Sequence, residues 1–235
     1  MFLLSPERLK RYEEADYIGE ALDEETLVGD DAYVSHSWLS KSAPKRLMYH
    51  EIYGDLVDGR LAQQRILDVG GGFCALSRRL IRSHCYELSE LCAHEKAERI
   101  RSEEKPASVE FLRDGDWYEL PNRGSYDIVI ANDLFPNVDQ RLELFLRKFI
   151  PLAREIRLSV TYYPAPRFYF TRRVDGDEIL CVQAWTGAQA REALRPFSQR
   201  IVKEDLSLLD TSGPSIFENG RQVCIITLIG SGGRK

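Results

Sequence analysis

The chain has 235 residues, 43% of them hydrophobic and 29% charged, with a formal net charge of −5. These values suit a globular protein with one large core, and the mild acidity counts against a general nucleic-acid binder, which presents a basic face. No run reaches the roughly 18 apolar residues that span a bilayer, and the apolar start "MFLL" is too short for a secretory segment. The expected compartment is the cytoplasm, with no membrane partner. Five cysteines, odd in number and without C-x-x-C spacing, read as reduced packing residues, and the four histidines lack ligand spacing, so no metal is expected.

Residues 1–60 read as a helical cap. Ser5, Pro6 and Glu7 form a helix start, with a side-chain acceptor, a residue lacking an N–H at the first helical position and an acid in the first turn. A longer helix is predicted from Pro44 to Val57, where Tyr49, Ile52, Tyr53 and Leu56 fall at i, i+3, i+4 and i+7 and Gly59 can end it. Between them "DDAYVSHSWLSKS" is polar and aromatic, which suits a loop or short helix lying across a cleft.

Residues 61–235 alternate strand and helix. "RILDV" is a strand, "FCALSRRLIRS" a helix, "HCYEL" a second strand, and "SELCAHEKAERI" a helix capped by Ser89. "SVEFL" is a third strand, and the apolar run "YDIVIAN" has the character of a central parallel strand buried on both faces. The helix "DQRLELFLRKFI" and the strand "EIRLSVTYY" follow. Asp175-Gly176 between two strand-like runs predicts an inserted β-hairpin over residues 167–185. After the helix "TGAQAREALRPF", two late strands are expected in "IVKEDLSLLD" and "RQVCIITLIG". With no helix between them, they imply an antiparallel last strand in an otherwise parallel α/β sheet.

The ligand question rests on "ILDVGGGFCALS". Gly70-x-Gly72-x-x-Ala75 also fits the loose dinucleotide fingerprint, in which small residues let backbone N–H groups approach a ligand. Asp68, two residues before the turn, is awkward for a pyrophosphate and suits a ligand bearing an ammonium group. Glu87 ends the second predicted strand 17 residues after Gly70, Asp116 and Trp117 follow the third, and Asn132 and Asp133 end the fourth. Polar groups at the carboxyl ends of four consecutive strands are where an open α/β sheet binds its ligand, here a nucleoside carrying an amino acid.

At these residues the chain resembles the class I, Rossmann-like S-adenosylmethionine (SAM)-dependent methyltransferases, through "ILDVGGGFCALS", "YELSE", "FLRDGDWYELP" and "YDIVIANDLFPNV". The resemblance runs from about Arg65 to the C terminus. It implies a seven-stranded sheet with a reversed last strand and SAM as cofactor, leaving S-adenosylhomocysteine as product. It assigns Asp68, Gly70 and Gly72 to the methionine turn, Glu87 to ribose, Asp116 and Trp117 to adenine, and Asn132 to the methionine side, with Gly71 and Leu88 also among the cofactor-binding residues. The chain lacks the His-His that follows the fourth strand in many relatives, and the Asn/Asp-Pro-Pro-aromatic tetrad of enzymes that methylate amino groups in nucleic acid.

The expectation is therefore methyl transfer to an O or N atom of a small-molecule acceptor such as a sugar, nucleotide sugar or natural-product intermediate. Asp133, His36 and Tyr163 are the catalytic candidates, and Arg167, Arg172 and Arg173 read as a solvated hairpin face in preference to a site for an anionic acceptor such as a nucleotide sugar. The reading admits a homodimer. A protein or RNA methyltransferase and a catalytically silent subunit remain alternatives; an NAD-dependent oxidoreductase fits less well, since no Tyr-x-x-x-Lys occurs.

Overall fold

The computed structural model describes residues 1–92, 96–173 and 178–232. The chain opens with a two-residue strand, β1 (Phe2–Leu3), and then forms α1 (Pro6–Glu13), α2 (Tyr17–Glu25), α3 (Val34–Lys41) and α4 (Ala43–Val57). Each of three helix starts has a side-chain cap for a free N–H. Ser5 Oγ accepts from Arg8 N, Asp16 from Gly19 N, and Ser42 Oγ from Lys45 N. Asp16 also accepts from Arg46 Nε at 2.7 Å and Tyr12 Oη at 2.6 Å, so one carboxylate ties α1, α2 and α4 together.

The rest is built from β2 (Arg65–Val69), α5 (Ala75–Ser83), β3 (Cys85–Glu90), α6 (Ala97–Arg101), α7 (Glu104–Ala107), β4 (Leu112–Asp114), β5 (Tyr126–Phe135), α8 (Leu142–Phe149), β6 (Ala153–Tyr162), β7 (Arg167–Arg173), β8 (Glu178–Ala184), α9 (Gly187–Leu194) and β9 (Gln222–Ile229). Seven strands make one sheet in the order β1-β9-β6-β5-β2-β3-β4. β2 to β6 pair in parallel, and β9 runs antiparallel to both β6 and β1. The chain moves outward from β2 through β3 to β4, then returns to β5 on the other side of β2. That reversal between β2 and β5 opens a crevice at the carboxyl ends of the strands.

Strand alternation sends side chains to two faces. Ile66, Leu88, Ile128 and Ile130 pack with Leu76 and Leu80 of α5 and with Ile18, Leu22, Met48, Ile52 and Tyr53 of the cap. On the other face Leu67, Val69 and Val129 pack with Phe145 and Phe149 of α8 and Leu194 of α9. The N-terminal segment thus shares a core with one face of the sheet. Arg157 of β6, buried, reinforces that join by donating to both oxygens of Asp55 at 2.6 and 2.9 Å and to the Ile52 carbonyl at 2.8 Å.

Two expectations change. The segment 201–210 pairs only through Ile201, which bridges Leu228, and Leu206–Asp210 forms a 3₁₀ helix. The free edge of β9 is taken instead by β1, too short a segment to show a strand period. Ser89 is buried inside β3 and caps no helix among the described residues; its carbonyl accepts from Gly70 N at 2.9 Å, and of the helix expected after it residues 93–95 lie outside the described residues while α6 and α7 are seen beyond them. At 30–42, where a loop or short helix was expected, the chain forms a 3₁₀ turn and the short helix α3. The hairpin is present, with Arg167 opposite Ala184 and Arg173 opposite Glu178, while the Asp175-Gly176 turn lies outside the described residues.

Replacing Arg157 by Met keeps the buried stem and removes the charge, leaving Asp55 without its partner. The expected loss is about 2 kcal/mol, lessened from the fully buried case because Asp55 is a third exposed. It would be read as a lower urea midpoint with an unchanged m-value.

Candidate cofactor and acceptor site

The turn after β2 is shaped by what surrounds its glycines. Gly70 and Gly72 have φ of +68° and +67°, the left-handed region where a side chain is strained. A Cβ on Gly71 would stand 2.5 Å from the Asp68 carboxylate, and one on Gly72 would stand 1.9 Å from Ser35 Oγ on α3. The turn is therefore a bare-backbone cradle, closed below by Asp68 and above by the cap.

Asp68 is fully buried. Tyr53 Oη donates to its two oxygens at 3.0 Å and Tyr86 Oη to one at 2.8 Å. Burial pushes its pKa up to about 7 against these bonds, and the nearby Glu90 adds to the shift. The same burial keeps both phenols protonated, their pKa values raised well above the ordinary tyrosine value. Asp68 does not line the open crevice; it supports the turn from beneath.

Glu90 is the acid at the end of β3. Its Oε2 accepts from Gly72 N at 3.2 Å, and burial raises its pKa, opposed by the backbone N–H groups of Gly72, Leu91 and Cys92. Glu87 lies earlier in the strand, opposite Leu67, where it accepts from Arg65 at 3.2 Å, Arg113 at 3.4 Å and Tyr126 Oη at 3.2 Å.

Beyond β4, Trp117 is buried, with Nε1 donating to Asp139 at 2.8 Å and the Arg141 guanidinium 4.8 Å from its ring centroid. Asp116 accepts from Arg141 at 2.8 and 3.1 Å; burial would raise its pKa, but Arg141 holds it below the usual carboxylate value.

At the end of β5, Asn132 Oδ1 accepts from Ser159 Oγ at 2.8 Å. Asp133 follows with φ of +56°. Arg221 donates to it at 2.7 and 3.3 Å, Lys45 of α4 at 3.2 Å, and Asn137 Nδ2 at 3.2 Å. Burial alone would raise the Asp133 pKa, but Arg221 and Lys45 hold it below the ordinary value. Tyr169 of β7 donates to Asn137, both to the carbonyl and, at 3.0 Å, to Oδ1; burial raises its pKa to about 12.

These elements enclose a cavity of about 1140 Å³, lined by Gly70–Gly72, Glu90, Trp117, Asn132 and Asp133 on the sheet side. Ser35, Trp38 and Lys45 of the cap, Tyr169 of the hairpin, and Phe217 and Arg221 before β9 complete it.

No protein-family model matches the chain, and neither does any curated protein sequence. Solved structures do match. Magnesium protoporphyrin IX methyltransferase from Synechocystis, with S-adenosylhomocysteine bound, is 17% identical over 80% of this chain and 84% of that one, at a TM-score of 0.50. The N-methyltransferase NodS from Bradyrhizobium japonicum, in complex with the same molecule, is 8% identical over 91% of this chain and 98% of that one, at 0.49.

The chain has the class I methyltransferase fold.

Within that fold several expected site residues move. Glu87 and the buried Leu88 do not reach the cavity, because β3 runs on to Glu90 and puts that acid at the strand end instead. Asp116 is engaged by Arg141 and does not line the cavity, whereas Trp117 does. Gly70, Gly71, Gly72, Asn132 and Asp133 line it. His36 is buried within the cap, off the cavity, and Tyr163 Oη lies behind the wall, accepting from Asn219 at 3.3 Å. Lys45, Tyr169 and Arg221 were not singled out by the sequence: one sits in a helix, one in a hairpin and one beside a strand, and only the fold gathers them. Among the described residues no group of three or more His, Cys, Asp or Glu is placed to hold a metal ion, and no helix is long and apolar enough to cross a membrane.

Asp68 gives a pH test. Unfolded, it ionises near pH 4; folded, it keeps its proton to about 7. Between those values the folded state binds more protons, so this group's stabilisation is complete at low pH and is lost as pH rises to about 7, by an amount on the order of 4 kcal/mol. Urea unfolding of the wild type and Asp68→Asn at about pH 4.5 and 7.5 should show the wild type losing stability relative to the variant at the higher pH. A constant difference would refute it.

Proposed function

We propose that this protein is a SAM-dependent methyltransferase acting on an O or N atom of a small-molecule acceptor. The observation that carries the proposal is one cavity that joins the glycine turn and Glu90 to the end of β5 under a roof supplied by the cap and hairpin. Its volume exceeds the roughly 300 to 1,000 Å³ of a typical single-ligand pocket, which suits a cofactor and an acceptor held side by side.

The residues fit the cofactor. Gly70, Gly71 and Gly72 border the cavity, where the methionine portion can approach their backbone, and Glu90 has an oxygen besides the one bonded to Gly72 to accept from a ribose hydroxyl. Trp117 offers an apolar wall beside the adenine position. Bound SAM supplies a methyl group already activated by its sulfonium.

The chain's own task is then to orient the acceptor and exclude water. Holding two reactants in line is worth roughly 7 to 11 kcal/mol, against the 10²- to 10⁴-fold, roughly 3 to 5 kcal/mol, of a general base. The residues here favour positioning. Asp133 is kept ionised by two cations, which makes it a weak base, and burial of Tyr169 keeps its proton on the phenol. Trp38, Tyr169 and Phe217 wall the acceptor half, and Ser35 against Gly72 holds the roof at a fixed height.

In calorimetric titration with S-adenosylhomocysteine, Glu90→Ala should weaken binding by about 1 to 3 kcal/mol, while Glu87→Ala should leave the affinity within about twofold. The opposite ranking would return the ribose role to Glu87. Binding of NAD⁺ in place of S-adenosylhomocysteine would overturn the proposed function.

A further inference from the structure

The acceptor half of the cavity carries a fixed excess of positive charge. Arg221 and Lys45, with side chains 6% and 25% exposed, face the single carboxylate of Asp133, so two cations meet one anion. The other charged groups on the wall are placed elsewhere. Glu90, Asp139 and Arg141 belong to the glycine turn and Trp117, and Lys41 and Glu218 are exposed at the rim, where water and salt screen them.

Both cations are held in place by aromatic faces. The Arg221 guanidinium lies 4.0 Å from the Phe217 ring centroid, and Lys45 Nζ lies 4.4 Å from that of Trp38. Asp133 takes two of the five N–H donors of Arg221 and one of the three on Lys45. The remaining donors, on a partly desolvated pair with one unmatched positive charge, favour an anion at this wall.

The cluster also sits on one side of the crevice. Asp133 ends β5, Lys45 comes from the cap helix above, and Arg221 from the loop entering β9, whereas the glycine turn, Glu90 and Trp117 lie over β2, β3 and β4. Trp38, Phe217 and Tyr169 give the same half apolar surface.

We propose that the acceptor is a carboxylic acid with an apolar body, anchored by its carboxylate against Lys45 and Arg221; this rests on the methyltransferase reading above. A monoanion matches the single unmatched charge, where a phosphate dianion would exceed it. Recognition of the acid is thereby separated from the atom that receives the methyl group.

The test uses the full chain saturated with S-adenosylhomocysteine and titrated with benzoate, phenylacetate and hexanoate, each against its own primary amide, and with phenyl phosphate. At least one acid should bind about tenfold or more tightly than its amide. Lys45→Met, which keeps the stem beside Trp38, should erase most of that preference and leave S-adenosylhomocysteine affinity unchanged. Asp133→Asn should strengthen it, since the excess charge rises and asparagine tolerates the left-handed backbone.

Acids and amides binding alike, none of the probes binding, or phenyl phosphate binding more tightly than every carboxylate would each overturn the proposal. So would Lys45→Met weakening S-adenosylhomocysteine in parallel, which would give the cluster to the amino-acid carboxylate of the cofactor. If the wild type fails to bind S-adenosylhomocysteine, the methyltransferase reading falls. The same acid and amide pairs titrated into the free protein then decide the carboxylate site separately: a preference for the acid keeps it, and no preference removes it.

Discussion

The close approach of α3 to the glycine turn governs how the two halves of this protein fit together. Ser35 lies where a side chain on Gly72 would be, and the Asp68 carboxylate lies where one on Gly71 would be. A methyl group at either position would have to displace a cap helix or a buried carboxylate. The height of the roof above the sheet, and so the depth of the cavity, follows from that contact.

Charge placement divides the cavity once that height is set. Over β2, β3 and β4, acids serve the backbone: Glu90 receives the Gly72 N–H, and Asp68, its pKa pushed up to about 7 by burial, sits between two tyrosines. Over β5 and β9, Asp133 is outnumbered by Arg221 and Lys45 and stays ionised. Three carboxylates near one crevice therefore have pKa values shifted in different directions because of what each touches. Burial dominates for Asp68 and Glu90, while two cations override it for Asp133.

Much of the scaffold was legible because its signals are local. The apolar run at 126–132, the helical spacing of Leu142, Phe145, Leu146 and Phe149, and the cap at Ser5 all correspond to observed elements. The misreadings occur where pairing partners decide. β1 is two residues long and exists because β9 has a free edge for it, while 201–210 has strand-like composition but finds only one bridge at that edge. β3 extends past Leu88 because Ser89 and Glu90 pair with Val69 and Asp114, residues 20 or more positions away. That extension of two residues is what exchanges one glutamate for another at the crevice.

The sequence by itself determined the α/β alternation, the glycine turn after the first long strand and the order of polar groups at strand ends, since these depend on neighbours a few residues apart. Tertiary structure decided which of those groups face the cavity. Asp116 was withdrawn by Arg141, His36 and Tyr163 were placed behind the walls, and Lys45, Tyr169 and Arg221 were brought from the cap, the hairpin and the last loop to the end of β5. Orientation and charge pairing depend on residues far apart in the chain, and no local pattern records them.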